Sequence, residues 1–285
     1  MCAVVFLSLF RDGEVVYVAP HEAEGVPDRD AYATIFADVC PSTLRSHEVV
    51  VDHHASSYDK VSKPGFLGFY SLDTARCGCR MLLDHLQNLH KEDAIQMERL
   101  RDIVDVVDDY DRYQLKLAWS KPLARIHQFF GQSKFVNTLV NEFWATHCKR
   151  HSEPVGQVWI PMSWEVIDDV LQVNEVRYVH DVVRHSWVAT VELAGQEVGV
   201  ACVFAEDTVN EVSDALLSKH PEAGFAMVVN TLARKVSLRS SDPHYNCVAL
   251  AQVLSGQSGG HRGASGFPFS DEIVADLKAV IGDSR

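Results

Sequence analysis

Val49-Val50-Val51-Asp52-His53-His54-Ala55-Ser56 is an apolar run that ends abruptly in a carboxylate and two imidazoles. A β-branched run of this kind reads as a buried strand, and groups at a strand's carboxyl end open into the crevice where α/β proteins bind ligands. Asp and His together offer the hard and borderline donors that Mn²⁺, Mg²⁺ and Zn²⁺ accept. A single His after a strand is more often a surface or satisfied core residue, but an Asp-His-His triple in that place is harder to explain so. One strand earlier, Thr34-Ile35-Phe36-Ala37 ends in Asp38, which brings a second carboxylate toward the same sheet edge.

Around this stretch the first half alternates short apolar runs with helical patterns. Val15–Ala19, Thr34–Ala37 and Val49–Val51 read as strands. Ala75, Cys79, Leu82, Leu83 and Leu86 share one helix face, and Met97, Leu100, Val104 and Val107 share another. Such alternation favours an α/β domain with a parallel, doubly wound sheet. Asp108, Asp109 and Asp111 close the second helical pattern, where carboxylates oppose the helix dipole, so a positive partner is expected there. A metal is one candidate and an arginine such as Arg112 the other.

From Pro122 to about Val183 the pattern is helical, with aromatics (Phe129, Phe130, Phe135, Phe143, Trp144, Trp159, Trp164) that read as packing rather than as a base-stacking platform. Trp187–Leu193 and Glu197–Phe204 read as a hairpin around Ala194-Gly195-Gln196. A helix at Val209–Lys219, strands at Phe225–Asn230 and Val236–Arg239, a helix at Cys247–Leu254, a glycine-rich loop and a terminal helix at Asp271–Ile281 complete a smaller mixed α/β domain. The expected division is 1–160, a helical connector at 161–185, and 186–285.

The 285 residues suffice for two cores, and 47% hydrophobic with 23% charged residues argues against disorder. A net charge of −13 speaks against a broad grip on duplex nucleic acid, which needs a basic face, but not against a short anionic substrate. Seven cysteines and no leader pattern point to reduced thiols and a cytoplasmic protein. The apolar opening Cys2–Phe10 is too short to span a membrane. Cys77-Gly78-Cys79 and His147-Cys148-Lys149-Arg150-His151 invite a zinc reading, yet neither has a second half at finger-like spacing.

The Asp-His-His stretch, together with Ser258-Gly259-Gly260-His261-Arg262-Gly263-Ala264-Ser265-Gly266-Phe267, resembles the DHH phosphoesterases: RecJ-like exonucleases, nanoRNases and exopolyphosphatase-like enzymes. The resemblance implies that Asp38, in Phe36-Ala37-Asp38-Val39-Cys40-Pro41-Ser42, bridges two Mn²⁺ (or Mg²⁺) ions and that His53 is a ligand. Asp52 and His54 would orient the shell or meet the phosphate. Asp108-Asp109-Tyr110-Asp111-Arg112-Tyr113 is similar to a segment of nanoRNase B-like members and offers Asp111 as a further ligand, with Asp108 in reserve. In the C-terminal domain, Gly259, Gly260, His261 and Arg262 would hold substrate, and Ser237-Leu238-Arg239-Ser240 would supply Arg239.

The implied reaction is metal-assisted hydrolysis of short oligonucleotides to mononucleotides, with exopolyphosphatase or cyclic-dinucleotide hydrolysis as alternatives and a homodimer left open. One departure stands out. Family members begin with a strand and an Asp-x-Asp-Gly motif, whereas Met1-Cys2-Ala3-Val4-Val5-Phe6-Leu7 is similar to the helix that follows it, and the nearest carboxylate is Asp12. The expectation is a metal site short of ligands, an open sheet edge beside Asp38, and weak hydrolysis by this chain. The other class of reading is a degenerate member that binds nucleotides or a protein partner.

Overall fold

The computed structural model describes residues 1–10, 12–18, 22–26, 34–54, 57–64, 66–89, 94–147, 160–161, 163–256 and 259–268. The chain forms two compact units, Met1–Gln172 and Val173–Arg285.

The first unit opens with helix α1 (Cys2–Leu9) and holds a three-stranded parallel sheet in the order β1 (Ile35–Ala37), β2 (Val49–Asp52), β3 (Phe69–Leu72). Val50 and Val51 are completely buried, one on each face, which is why this run is apolar throughout rather than alternating. A short helix α2 (Tyr58–Val61) precedes β3, and helices α3 (Gly78–Leu89), α4 (Ala94–Asp111), α5 (Ser120–Phe130) and α6 (Gln132–His147) follow it. Their apolar stripes share one core: Leu82, Leu83 and Leu86 of α3, Met97, Leu100 and Ile103 of α4, Ile126 of α5, and Phe135, Leu139 and Phe143 of α6. Each such side chain contributes roughly 1.5–3 kcal/mol on burial. Val4 and Val5 of α1 join the same cluster at no exposure.

Helix α7 (Ser163–Val183) covers most of the stretch expected to connect the domains, and the boundary between the two units falls within it. The second unit is a six-stranded mixed sheet in the order β4 (Trp187–Leu193), β5 (Gln196–Phe204), β6 (Phe225–Asn230), β7 (Lys235–Arg239), β9 (Ala264–Pro268), β8 (Gly259–His261). Only β5 and β6 pair in parallel. Helix α9 (Cys247–Ser255) covers the face carrying Val200, Cys202, Phe225 and Leu238. Helix α8 (Val209–Lys219) covers the face carrying Ala201, Val203, Ala226 and Val228. Asn246 caps α9 by accepting the N–H groups of Val248 and Ala249.

Three expectations change. Residues 15–18 are irregular rather than a strand, and Ala19 lies outside the described residues. The glycine-rich stretch is not an open loop: Gly259–His261 pairs antiparallel with Ala264–Gly266, turning at Arg262 and Gly263. Strand β3 was not anticipated, because Phe69 and Tyr70 face outward and leave no apolar run to read. The terminal helix expected at Asp271–Ile281, together with Ala55, Ser56, Trp159 and Ser258, lies outside the described residues.

Candidate metal centre

Strand β2 ends by burying Asp52 almost completely, at 1% exposure. Its Oδ1 accepts the backbone N–H of His53 at 2.9 Å and of His54 at 3.4 Å, and lies 2.7 Å from His54 Nδ1. Its Oδ2 accepts the Ser57 hydroxyl. Burial alone would raise this carboxyl, but the hydrogen bonds from His54 and Ser57 outweigh it and hold Asp52 below the usual range. The carboxylate therefore folds the chain back on itself, holding the His53 backbone and fixing the direction of the His54 imidazole. With Nδ1 engaged by Asp52, the half-exposed His54 ring has Nε2 left for other partners.

His53 meets two carboxylates from other elements. Its Nε2 lies 3.0 Å from Asp38 Oδ1, just past β1, and 3.4 Å from Asp111 Oδ2, the last residue of α4. The bond to Asp38 chiefly, and the charges of Asp111, Asp38 and Asp52 against the opposing effect of burial, raise the imidazole to about 9. The two imidazoles sit edge to face with centroids 4.4 Å apart. Ligand atoms of Asp38, His53 and His54 all lie within 4.8 Å of one another. Partial burial raises Asp111, and the neighbouring carboxylates Asp38 and Asp108 add to the effect.

Asp38 is placed by two features that the sequence did not signal. Its backbone is left-handed (φ 66°), while its N–H still donates to Val51 O at 2.9 Å, one step beyond the β1–β2 ladder. Gly78, the first residue of α3, lies against it: a Cβ there would stand 2.7 Å from Asp38 Oδ1 and 3.0 Å from its Cα. The preceding residue, Cys77, donates its N–H to Asp108 Oδ1 at 2.6 Å. Cys77-Gly78-Cys79 thus seats acidic neighbours at a helix start, and its two buried thiols face each other at 3.2 Å.

The three carboxylates at the end of α4 separate by role. Asp111 joins His53. Asp108 holds the Cys77 amide and pairs with Arg112 at 3.4 Å and Arg80 at 4.0 Å. Asp109 is buried and accepts Leu117 N–H at 3.0 Å and the Ser120 hydroxyl at 2.5 Å, so it pins the start of α5.

In the second unit, the Arg239 guanidinium donates to Asn210 Oδ1 at 2.5 Å. Gly259 and Gly260 are exposed in β8, with Gly260 at φ 121°, and His261 follows in the same strand. The Arg262 guanidinium donates to Pro243 O at 2.8 Å and His244 O at 3.3 Å.

The donor set fits a divalent cation. Carboxylates and imidazoles from three elements converge, and the group between them is an imidazole that the site itself drives toward a positive charge. A cavity of about 970 Å³ adjoins Asp38, lined by Met1, Phe6, Val15, Tyr17 and Ile35. No described helix is long and apolar enough to cross a membrane.

No protein-family model matches the sequence, and no curated protein does. Solved structures do. The DHH domain of a member of the s1p family of ribosomal proteins is 12% identical at a TM-score of 0.55, over 97% of this chain and 74% of that one. RecJ from Thermus thermophilus, in complex with Mn²⁺, is 12% identical at 0.50 over 97% of this chain, which spans about half (48%) of RecJ's length. A pGpG-specific phosphodiesterase from Vibrio cholerae is 12% identical at 0.49, over 98% and 92%. At 97% coverage the likeness takes in both units, and the chain has the fold of these two structures, a DHH domain among them.

Proposed function

We propose that the protein is a metal-dependent phosphoesterase that hydrolyses short oligonucleotides to mononucleotides, with Mn²⁺ or Mg²⁺ held at the end of β1 and β2. The observation that carries this reading is His53 Nε2 lying between the carboxylates of Asp38 and Asp111. Asp38 and His53 bind the ion, with His54 within reach of the same point and Asp111, 3.4 Å from His53 Nε2, as the further ligand. A bound ion supplies neutralisation of phosphate oxygens and acidifies water at neutral pH.

The remaining work falls to the chain. Asp52 anchors the His53 backbone and accepts Nδ1–H of His54, which leaves His54 Nε2 to contact a phosphate oxygen or exchange a proton with it. Gly78 leaves room for Asp38 to hold its left-handed backbone. In the second unit, Arg239, exposed Gly259 and Gly260, and His261 hold the rest of the substrate, because glycine lets backbone N–H groups approach an anion closely. Within this set Arg262 supports a loop rather than touching substrate. The oligonucleotide preference follows the likeness of Asp108-Asp109-Tyr110-Asp111 to nanoRNase B-like members.

The test is a hydrolysis panel with Mn²⁺ and Mg²⁺ on pApA, longer oligonucleotides, polyphosphate and cyclic dinucleotides, read by chromatography. Slow Mn²⁺-dependent release of AMP from pApA, as a site short of carboxylates implies, is expected, abolished in D38N and H53A. Turnover that survives both substitutions, or none on any phosphodiester, rejects the reading.

A further inference from the structure

The loop between β7 and α9 is fixed by more hydrogen bonds than a simple connection requires, and its outermost ring is an imidazole. His244 is 89% exposed, yet its Nδ1 lies 2.7 Å from Asp242 Oδ1 and its N–H donates to the same oxygen at 2.8 Å. Ser240 Oγ donates to Gly224 O at 2.8 Å and accepts Asp242 N–H at 3.2 Å. The Tyr245 ring packs on Phe225 with centroids 5.1 Å apart, which anchors the far side of the loop in the core.

The loop is also tied to the glycine hairpin. Ser240 N–H donates to Gly263 O at 3.1 Å, and Cys247 N–H donates to Arg262 O at 2.8 Å. Arg262 reaches back from the hairpin turn to the carbonyls of Pro243 and His244. The cation expected to grip phosphate is therefore engaged in carrying His244, beside the turn of the strand pair that holds Gly259, Gly260 and His261.

We infer that His244 is a nucleoside subsite, a ring held ready to stack on a base, with Asp242 and Arg262 as its positioning residues. This rests on the phosphoesterase reading for the rest of the substrate. An aromatic face ordered before binding loses little freedom when a base stacks on it. The Asp242 carboxylate 2.7 Å from Nδ1 would repel a second phosphate placed on the ring, so the position suits an uncharged base better.

The experiment compares kcat/KM on pApA and on tripolyphosphate, which has no base, for wild type, H244A, H244F and R262A, all with Mn²⁺. AMP binding is measured in parallel by calorimetry. H244A should lower the preference for pApA over tripolyphosphate roughly tenfold, the low end of what one stacked base contributes. H244F should recover most of it, R262A should show an intermediate loss, and AMP affinity should fall in step with H244A. Equal loss on both substrates would make His244 a phosphate contact and overturn the inference, as would no loss on either. AMP binding that depends on His244 in a wild-type protein without turnover would reject the hydrolase and retain the subsite. Turnover with AMP binding indifferent to H244A would do the reverse.

Discussion

Replacing Gly78 with alanine separates the placement of Asp38 from the stability of the fold. The added methyl would lie 2.8 Å from Asp38 Cβ and 3.0 Å from its Cα. Carbon atoms pack favourably from about 3.5 Å, so the two segments must part by roughly half an ångström or more. The methyl cannot be accommodated by a side-chain rotation, because one of its neighbours is the Asp38 backbone, already left-handed at φ 66°. Metal–ligand distances tolerate only about 0.2 Å, so the ion loses a well-placed donor, and we expect Mn²⁺ affinity to fall about 10–100-fold. Stability should change less: overpacking costs about 1–3 kcal/mol, offset in part by about 0.4–1 kcal/mol from a less flexible unfolded chain. Calorimetry with Mn²⁺, together with urea unfolding of the chelator-treated protein, gives both numbers. G25A is the control, since no atom of the described residues lies within 4 Å of a Cβ there. Wild-type Mn²⁺ affinity in G78A would refute the assignment of Asp38 as a ligand placed by this contact.

The pH behaviour without metal follows from His53. Its imidazolium is favoured by Asp38 and Asp111 up to about 9, against about 6.5 in the unfolded chain. A raised pKa stabilises fully below the unfolded value and is lost as pH rises through the folded one. After discounting for two partly exposed carboxylates, chelated wild type should lose roughly 2 kcal/mol relative to H53Q between pH 6.5 and 9. Mn²⁺ affinity should climb over the same window, because the ion needs the neutral ring; equal pH profiles in wild type and H53Q would contradict the geometry. D52N should cost about 2–4 kcal/mol in urea unfolding, since an amide cannot accept from His54, Ser57 and two backbone N–H groups together. Asp109 and Asp111 should behave oppositely: D109A should cost roughly 1.5–3 kcal/mol of stability with little change in Mn²⁺ affinity, and D111N should weaken Mn²⁺ binding in a protein of near-normal stability. A D109A protein as stable as wild type would remove its role in pinning α5.

The parts of the fold that were legible share a physical cause. Val50 and Val51 are buried on opposite faces, so the apolar run had no rival reading, and the stripes of α3 and α4 face one core and keep helical spacing. The β4–β5 hairpin was readable from two long β-branched runs around Ala194 and Gly195, both with φ above 50°. What escaped lacks such one-sided burial. Strand β3 shows Phe69 and Tyr70 to solvent and is defined by pairing with β2 rather than by pattern. The hairpin β8–β9 hid behind its glycines, which signal a turn equally well, and it forms because Gly260 holds φ 121° where the backbone of Ser265 approaches it closely.

At the site, residue types at strand ends were legible because chemistry and topology coincide there: Asp38, Asp52, His53 and His54 all fall where β1 and β2 stop. The choice within Asp108-Asp109-Tyr110-Asp111 was not. Asp108 and Asp111, three residues apart, lie on nearly the same side of α4, so spacing ranks them equally. Their surroundings differ: Cys77 N–H, just before α3, donates to Asp108 at 2.6 Å, and Arg112 and Arg80 pair with it. Asp111 lies beside His53, with no such amide among its described hydrogen bonds. The same contact makes the distinction measurable. D108N should leave His53 with both its carboxylates but weaken the hold on the start of α3, and so reach the metal only through Gly78 and Asp38. D111N removes charge from the centre itself. D108N should therefore lower stability more than Mn²⁺ affinity, and D111N the reverse, as read by urea unfolding and calorimetry. If D108N proves the more damaging of the two to Mn²⁺ binding, Asp108 belongs among the ligands and the hydrogen bond to Cys77 is secondary.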